Sequence, residues 1–190
     1  MSELVGFVRM GFHHIADPAA LDHVLFLLAL AAIYRGQDWR AAVWVVTAFT
    51  VGHSLTLALA VTDAVALRTD VIEFLIPVTI VATGIGNLAV RDRTTAPLGR
   101  RYRPIFAGMF GLVHGAGFAN YLRDLFSGSI GVPLFGFNAG IELGQLVILA
   151  AAAVALSAVD RLVGHRARVV AVSATVVLVA ASMAVERLPW

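Results

Sequence analysis

Six long apolar stretches run through this chain, and the first five each contain an ionisable side chain. The stretches cover residues 18–34, 41–61, 71–90, 104–121, 133–159 and 169–185. The ionisable groups of the first five are, in order, the pair Asp22 and His23, then His53, Glu73, His114 and Glu142. A charged group at the centre of a bilayer costs about 2.5–3.5 kcal/mol on insertion scales, so such residues are rare and usually face a polar interior. Five helices that each bring an imidazole or a carboxylate therefore indicate a buried polar site.

The composition identifies the class of protein. Hydrophobic residues make up 59% of the 190 and charged residues 14%, whereas soluble domains carry about 25% charged residues. The stretches reach the ~17–25 residues that a helix needs to cross a bilayer. Spanning segments must satisfy their own backbone hydrogen bonds, and continuous rather than alternating apolar runs indicate helices instead of a barrel. We predict an all-α membrane protein whose residues 1–190 form a single transmembrane domain of six helices.

The arginines predict the orientation. The linkers after the first, third and fifth spans contain ten arginines, which are Arg35, Arg40, Arg91, Arg93, Arg100, Arg101, Arg103, Arg161, Arg166 and Arg168. The opposite side has four, which are Arg9, Arg68, Arg123 and Arg187. By the positive-inside rule the ten-arginine side is cytoplasmic, so both termini lie on the outer side. Residues 1–16 lack a signal-peptide core and are predicted to form a short interfacial helix.

The helix rise then places several polar groups at similar depths. At ~1.5 Å per residue, His23 lies about 8 Å from the outer end of its predicted helix, and His53 about 13 Å. The corresponding depths are about 10 Å for His114, about 13 Å for Glu142 and about 8 Å for Asn138. Groups from four helices therefore share one layer in the outer half of the membrane, which predicts one site.

Imidazoles and carboxylates without cysteine suit borderline divalent ions such as nickel, cobalt or zinc, and they do not suit Cu(I). The primary candidate ligands are Asp22, His23, His53, His114 and Glu142. Such an ion would be a substrate, and no organic cofactor is expected. Each residue also has a simpler interpretation, since a single intramembrane histidine is often a hydrogen-bonded packing residue.

Several further residues are secondary candidates as metal ligands, and each has two interpretations. Asn138, Glu142 and Gln145 share one helix face, which is compatible with hydrogen bonding between helices or with a site. Asp70 and Glu73 match a capping box, so a cap is favoured for Glu73.

The residues near the ends of the spans also have simpler interpretations than metal binding. Asp22 lies where a carboxylate also eases the helix dipole. His14 precedes the first helix, where metal capture and ordinary solvation are equally plausible. His165, in an arginine-rich linker, is expected to be solvated.

Glycines and prolines predict helix contacts and helix starts. Gly108, Gly111 and Gly115 form a stripe that allows a neighbouring helix to approach closely. Asp17 and Pro18 indicate the start of the first span, and Pro104 and Pro133 the starts of the fourth and fifth.

In the segments that contain the candidate ligands, the chain resembles the HupE/UreJ family of nickel/cobalt permeases, which are hydrogenase- and urease-accessory membrane proteins. The resembling segments are HHIADPAALDHVLFLLAL at 13–30, TAFTVGHSLTLALA at 47–60, VIEFLIP at 71–77, FGLVHGAGFA at 110–119 and FGFNAGIELGQ at 135–145. The resemblance implies a permease that moves nickel or cobalt across the cytoplasmic membrane of a bacterial cell. It implies that the primary candidates are pathway ligands, and it adds Glu73. The family places a histidine some six residues before the aspartate of its first motif, whereas His14 is eight residues before Asp22.

Two other classes of function compete with a permease. A metal sensor or accessory protein that does not transport would need the same site. A membrane hydrolase could be imagined from Ser54 with His53 or His114, but adjacent helical residues point ~100° apart, so His53 cannot readily serve Ser54. No His-Glu-x-x-His motif occurs. We therefore predict a protein that is not an enzyme, with a metal ion and the lipid bilayer as partners and no nucleic acid. Formation of a homo-oligomer is compatible with the sequence.

Overall fold

The computed structural model describes residues 3–17, 20–62, 64–65, 68–90, 97–125 and 130–189, and no β-strand occurs among them. The helices of this part of the chain are α1 (Glu3–Ala16), α2 (Leu21–Ala32), α3 (Trp39–Val61), α4 (Thr69–Ala89), α5 (Pro97–Leu125), α6 (Gly131–Val163) and α7 (His165–Glu186). A 3-10 turn, Gly36–Asp38, precedes α3. The all-α prediction is therefore confirmed.

Four of these helices are long and apolar enough to cross a membrane, namely α3 (with the preceding turn), α4, α6 and α7. A fifth span results if α1 and α2, which meet at an angle of 73°, are counted as one bent span. Helix α2 alone has only 12 residues and is about 18 Å long, against ~30 Å of hydrocarbon, so it does not cross a bilayer by itself. The predicted span 18–34 stays a prediction. The segment 104–121 lies within α5, whose histidine and glycines lower its hydropathy. The chain is thus a helical membrane protein, and the count of six spans stays a prediction.

The helix starts predicted at prolines have different outcomes. Helix α2 begins at Leu21, after Ala20 as N-cap and without a side-chain cap bond. Pro18, together with Arg91 and Arg93 of the predicted cytoplasmic side, lies outside the described residues. Pro104 lies inside α5, and Pro133 lies in the first turn of α6, which starts at Gly131. Proline is tolerated in a first turn and in membrane helices, so it marks a start only loosely.

The capping box predicted at the start of α4 is also absent. The N-cap is Arg68, and no side chain caps the helix there. Asp70 instead accepts hydrogen bonds from the Arg68 guanidinium, so its carboxylate is held on the surface. Glu73 is exposed.

Helices α3 and α5 pack with their backbones in contact. A Cβ atom on Gly52 would collide with the backbone of Gly108, and one on Gly111 with the Phe49 carbonyl. A Cβ on Gly115 would collide with the backbone of His53. In a membrane, helix association depends on such close packing rather than on burial from water. The predicted glycine stripe is therefore confirmed, and its neighbour is α3.

Helices α1 and α6 form a second pair of the same kind. Gly136, Gly140 and Gly144 recur every fourth residue on α6, and a Cβ on Gly140 would collide with the Val8 carbonyl of α1. In return, a Cβ on Gly11 would collide with the Phe137 carbonyl. The N-terminal segment is thus helical as predicted, but it is packed against α6 through its glycine face. Its location relative to the membrane interface stays a prediction.

Helices α4 and α7 form a third pair, and α2 contacts both of them. A group of arginines ties these helices to α5 and α6 near the C-terminal end of α2. Arg168 is 1% exposed and donates to Asp160 at 2.7 and 3.1 Å and to the Tyr34 carbonyl at 3.2 Å. His165 is not simply solvated, because its Nδ1 lies 2.6 Å from Arg168 Nη2.

Two more arginines complete this group. Arg166 donates to the Leu88 and Val90 carbonyls at the end of α4. Arg103 donates to Asn87 Oδ1, and the Asn87 amide donates to the Ala29 carbonyl. We call Arg103, Arg166, Arg168 and these partners the arginine network.

Candidate metal site

Four histidines converge where α1, α2, α3 and α5 meet. His14, His23 and His53 each offer a ring nitrogen, and these three atoms lie within 4.8 Å of one another. The ring of His114 lies 5.6 Å from that of His23, measured between centroids. His23, His53 and His114 are buried, and His14 is half-buried. We call these four residues the histidine cluster.

Local structure explains this convergence. His14 is in the last turn of α1 and His23 in the first turn of α2, and the bend between the helices places the two ring centroids 4.8 Å apart. The glycine contact between Gly115 and the His53 backbone brings α5 against α3. Because His114 directly precedes Gly115, the same contact carries its ring into the cluster.

The ring nitrogens of the cluster are largely without partners. His14 Nε2, both ring nitrogens of His23 and of His53, and His114 Nδ1 are buried with no hydrogen-bond partner within the described part of the chain. A buried polar atom left unsatisfied costs about 1–3 kcal/mol, so native structures contain few of them. Several together at one point fit a site that binds a ligand through imidazole nitrogens.

Thr79 sets the tautomer of His114. The Thr79 hydroxyl donates to the Ile76 carbonyl at 2.7 Å, and it lies 3.1 Å from His114 Nε2. The hydroxyl has one proton, so it accepts from Nε2–H and leaves the Nδ1 lone pair free. Orienting a ligand histidine through its other nitrogen is a common feature of metal sites.

Aromatic rings surround the cluster. The rings of Phe26 and Phe49 lie 5.2 and 5.1 Å from that of His114. Phe118 lies 3.9 Å from His14 and stacks on Phe137. These four phenylalanines were missed by sequence reasoning. Three of them stand three or four residues from a cluster histidine, a spacing that puts side chains on one helix face and could have revealed them.

The polar face of α6 lies against α3. Thr47 donates to Glu142 Oε1, and Thr50 donates to Gln145 Oε1, each at 2.7 Å. Asn138 approaches the His53 ring, although no well-formed hydrogen bond joins them, and its amide donates to the Leu134 carbonyl. We call Thr47, Thr50, Asn138, Glu142 and Gln145 the polar seam. Glu142 is outside the group of three histidines whose ligand atoms lie close together.

Two of the candidate carboxylates have surroundings that differ from those of the cluster histidines. Asp22 precedes His23, but its carboxylate accepts two hydrogen bonds from Arg187, at 3.0 and 3.3 Å. This bidentate pair joins the start of α2 to the end of α7. Glu73 is exposed in the second turn of α4. The structure therefore brings together the histidines of the predicted site, including His14, while the carboxylate of Asp22 pairs with Arg187 and that of Glu73 is exposed.

The cluster has dimensions that suit a transition metal. Zinc–imidazole bonds are ~2.0–2.1 Å long, so two nitrogens on one ion are separated by at most about 4 Å. The three nitrogens within 4.8 Å would reach that separation if each ring moved by about half an ångström. Imidazole is a favourable ligand for nickel and zinc, and the aromatic shell excludes competing water.

Comparison with known proteins identifies the family. The family model described as HupE / UreJ protein matches residues 1–187, which is nearly the whole chain. Searches of curated proteins and of solved structures give no match. The resemblance inferred from the motifs of the first five spans is therefore confirmed.

Proposed function

We propose that this chain, which belongs to the HupE/UreJ family, is a permease that carries a divalent transition-metal ion across the bacterial cytoplasmic membrane. The family is one of metal-related accessory or permease membrane proteins. Nickel and cobalt are favoured as substrates, and zinc is a further candidate. The observation that carries the proposal is the histidine cluster, where buried ring nitrogens from four helices lack partners among the described residues.

The proposed topology has six spans. Helices α1 and α2 form one bent span, and α3, α4, α5, α6 and α7 form the other five. Both termini lie outside, because ten of the fourteen arginines fall on the opposite side. The close packing of α5 on α3 supports α5 as a span, since its glycines face a neighbouring helix rather than lipid.

Each cluster residue has a role in binding. His14, His23 and His53 replace water around the ion, and His114 supplies its free Nδ1. Imidazole binds metal only when neutral, so the ion competes with protons for the cluster. No nucleotide-binding loop occurs in the sequence, and we propose that transport is passive or driven by an ion gradient.

The two alternatives receive less support. Ser54 donates its hydroxyl to the Thr50 carbonyl at 2.7 Å, so it is not aimed at a cluster histidine as a hydrolytic nucleophile would be. A sensor or accessory protein would bind the ion at the same cluster, and only transport distinguishes it from a permease.

Uptake of Ni²⁺ and Co²⁺ into sealed vesicles that contain the purified protein tests the proposal. The adjacent pair His13 and His14 offers a matched control, because His13 is exposed while His14 is in the cluster. We expect His14→Ala to lower the initial uptake rate at least tenfold and His13→Ala to leave it unchanged. If the wild-type protein binds the ions but does not move them, the sensor or accessory alternative is correct.

A further inference from the structure

The polar seam begins beside the histidine cluster and continues away from it. Asn138 approaches His53, and Glu142 follows one turn later on α6. On α3, Thr50 is one turn from His53, and Thr47 is six residues, or about 9 Å, from it. Both threonines lie toward the Trp39 end of α3, which contains Arg40 and follows the linker with Arg35. The seam therefore leads from the cluster toward the proposed cytoplasmic side.

Two oxygen atoms of the seam lack a hydrogen-bond partner within the described residues. Thr47 uses only Glu142 Oε1, while Glu142 Oε2 is buried without a partner within the described residues. The same holds for Asn138 Oδ1. An ionised carboxylate accepts at both oxygens, so half of its capacity is unused in a buried position. Hydrogen bonding between helices explains Thr47 and Thr50, but it does not explain these two free oxygens.

We propose that Glu142, assisted by Asn138, forms a second and weaker cation station that receives the ion as it leaves the histidine cluster. This inference rests on the proposed function, because a station on the inward side of the cluster has a purpose only if the ion passes through. Glu142 supplies the negative charge that the neutral imidazoles lack. Thr47 and Thr50 position the α6 side chains by donating to Glu142 Oε1 and to Gln145 Oε1.

The two kinds of donor explain why the ion would advance. Imidazole nitrogen favours nickel, cobalt and zinc, whereas carboxylate and amide oxygens favour harder ions such as magnesium and manganese. A station of oxygen donors therefore holds a borderline ion less tightly than the cluster does. Passage through a membrane protein requires sites that bind well enough for entry and weakly enough for exit.

The first test separates binding from transport in the full chain. We expect Glu142→Gln to keep the Co²⁺ affinity of the histidine cluster within twofold and to lower Co²⁺ uptake at least tenfold. Glu142→Asp, which retains a carboxylate, should recover part of the rate. Glu186→Gln makes the same substitution at an exposed position and should change neither quantity. Wild-type uptake in Glu142→Gln would overturn the proposal, and so would a parallel loss of cluster affinity, because Glu142 would then belong to the cluster.

The second test needs no transport and distinguishes the failure of the station from that of the permease. In a variant with alanine at His14, His23 and His53, we expect residual weak Co²⁺ binding with the pale spectrum of oxygen ligation. Adding Glu142→Gln should abolish it. If the residual binding is absent or survives the loss of Glu142, the station is wrong, whatever the vesicles show. If it behaves as expected but wild-type vesicles take up no Co²⁺, the permease function is wrong and the oxygen site is not a transit station.

Discussion

The histidine cluster and the arginine network lie at opposite ends of α2, and they treat buried polar groups in opposite ways. In the arginine network, the buried Arg168 has a carboxylate, a carbonyl and an imidazole as partners. In the histidine cluster, buried nitrogens of His14, His23, His53 and His114 have none within the described part of the chain. Fully satisfied polar networks make a structure rigid, whereas unsatisfied ones are costly unless a ligand completes them. One bundle thus contains polar residues that stabilise the structure and polar residues that we propose to bind a ligand.

His165 and His114 illustrate the difference with the same side chain. Arg168 can only donate, so the Nδ1 of His165 accepts a hydrogen bond and its lone pair is used inside the protein. The Nδ1 of His114 has its lone pair free, because Thr79 occupies the other nitrogen. The position of a histidine in a linker or in an apolar span therefore says less about its role than the partners of its two nitrogens.

The largest expected effect is on stability, and it lies in the arginine network. Arg168→Ala removes the hydrogen bonds from Arg168 to Asp160 and to the Tyr34 carbonyl, and removing one partner of a buried ion pair costs about 3–5 kcal/mol. Arg161→Ala, at an exposed position one residue from Asp160, should change the free energy of unfolding by less than ~0.5 kcal/mol. Denaturant-induced unfolding in detergent would measure both. Equal effects of the two substitutions would contradict the structural role of the network.

An intermediate effect is expected on metal affinity at Thr79. Thr79→Val keeps the shape of the side chain but removes the acceptor that fixes the tautomer of His114. Loss of such an outer partner weakens metal binding by roughly 10–100-fold. Thr83→Val is the control, because Thr83 bonds only to the backbone of its own helix. Calorimetric titration with Ni²⁺ would compare them, and unaltered affinity in Thr79→Val would remove His114 from the ligand set.

A smaller effect on the affinity for Ni²⁺ is expected from a change of pH. The affinity should change by about tenfold or less per pH unit for each proton exchanged. Protons compete with the ion for imidazole nitrogen, so the affinity for Ni²⁺ should fall as the pH is lowered. The same titration repeated over a series of pH values measures this dependence. An affinity that rises as the pH is lowered would contradict binding through imidazole nitrogen.

Much of the cluster could be predicted from the sequence, because it depends on local features. The apolar runs indicate helices, and counting along them places His23, His53 and His114 at similar depth. The glycine stripe of α5 predicted the close contact that joins His114 to α3. These features require only the periodicity and rise of a helix.

The parts of the fold and site that the sequence did not predict depend on contacts between segments that are distant along the chain. The bend between α1 and α2 makes His14 a neighbour of His23, and the spacing of the two residues along the chain does not reveal it. The glycines at 136, 140 and 144 carried a signal for the docking of α1 that was not recognised. Asp22 pairs with Arg187, which is 165 residues away, so no local pattern could separate this carboxylate from the histidine beside it.

The most direct test of the central claim, that the histidine cluster binds the transported ion, is an anomalous-scattering map of cobalt-soaked crystals of the full chain. We expect a strong peak enclosed by His14, His23 and His53, at about 2 Å from their ring nitrogens. The peak should disappear in His53→Ala and persist in His13→Ala. A dominant peak at Asp22 or Glu73, or a cluster that stays without a peak while the protein transports cobalt, would contradict this claim.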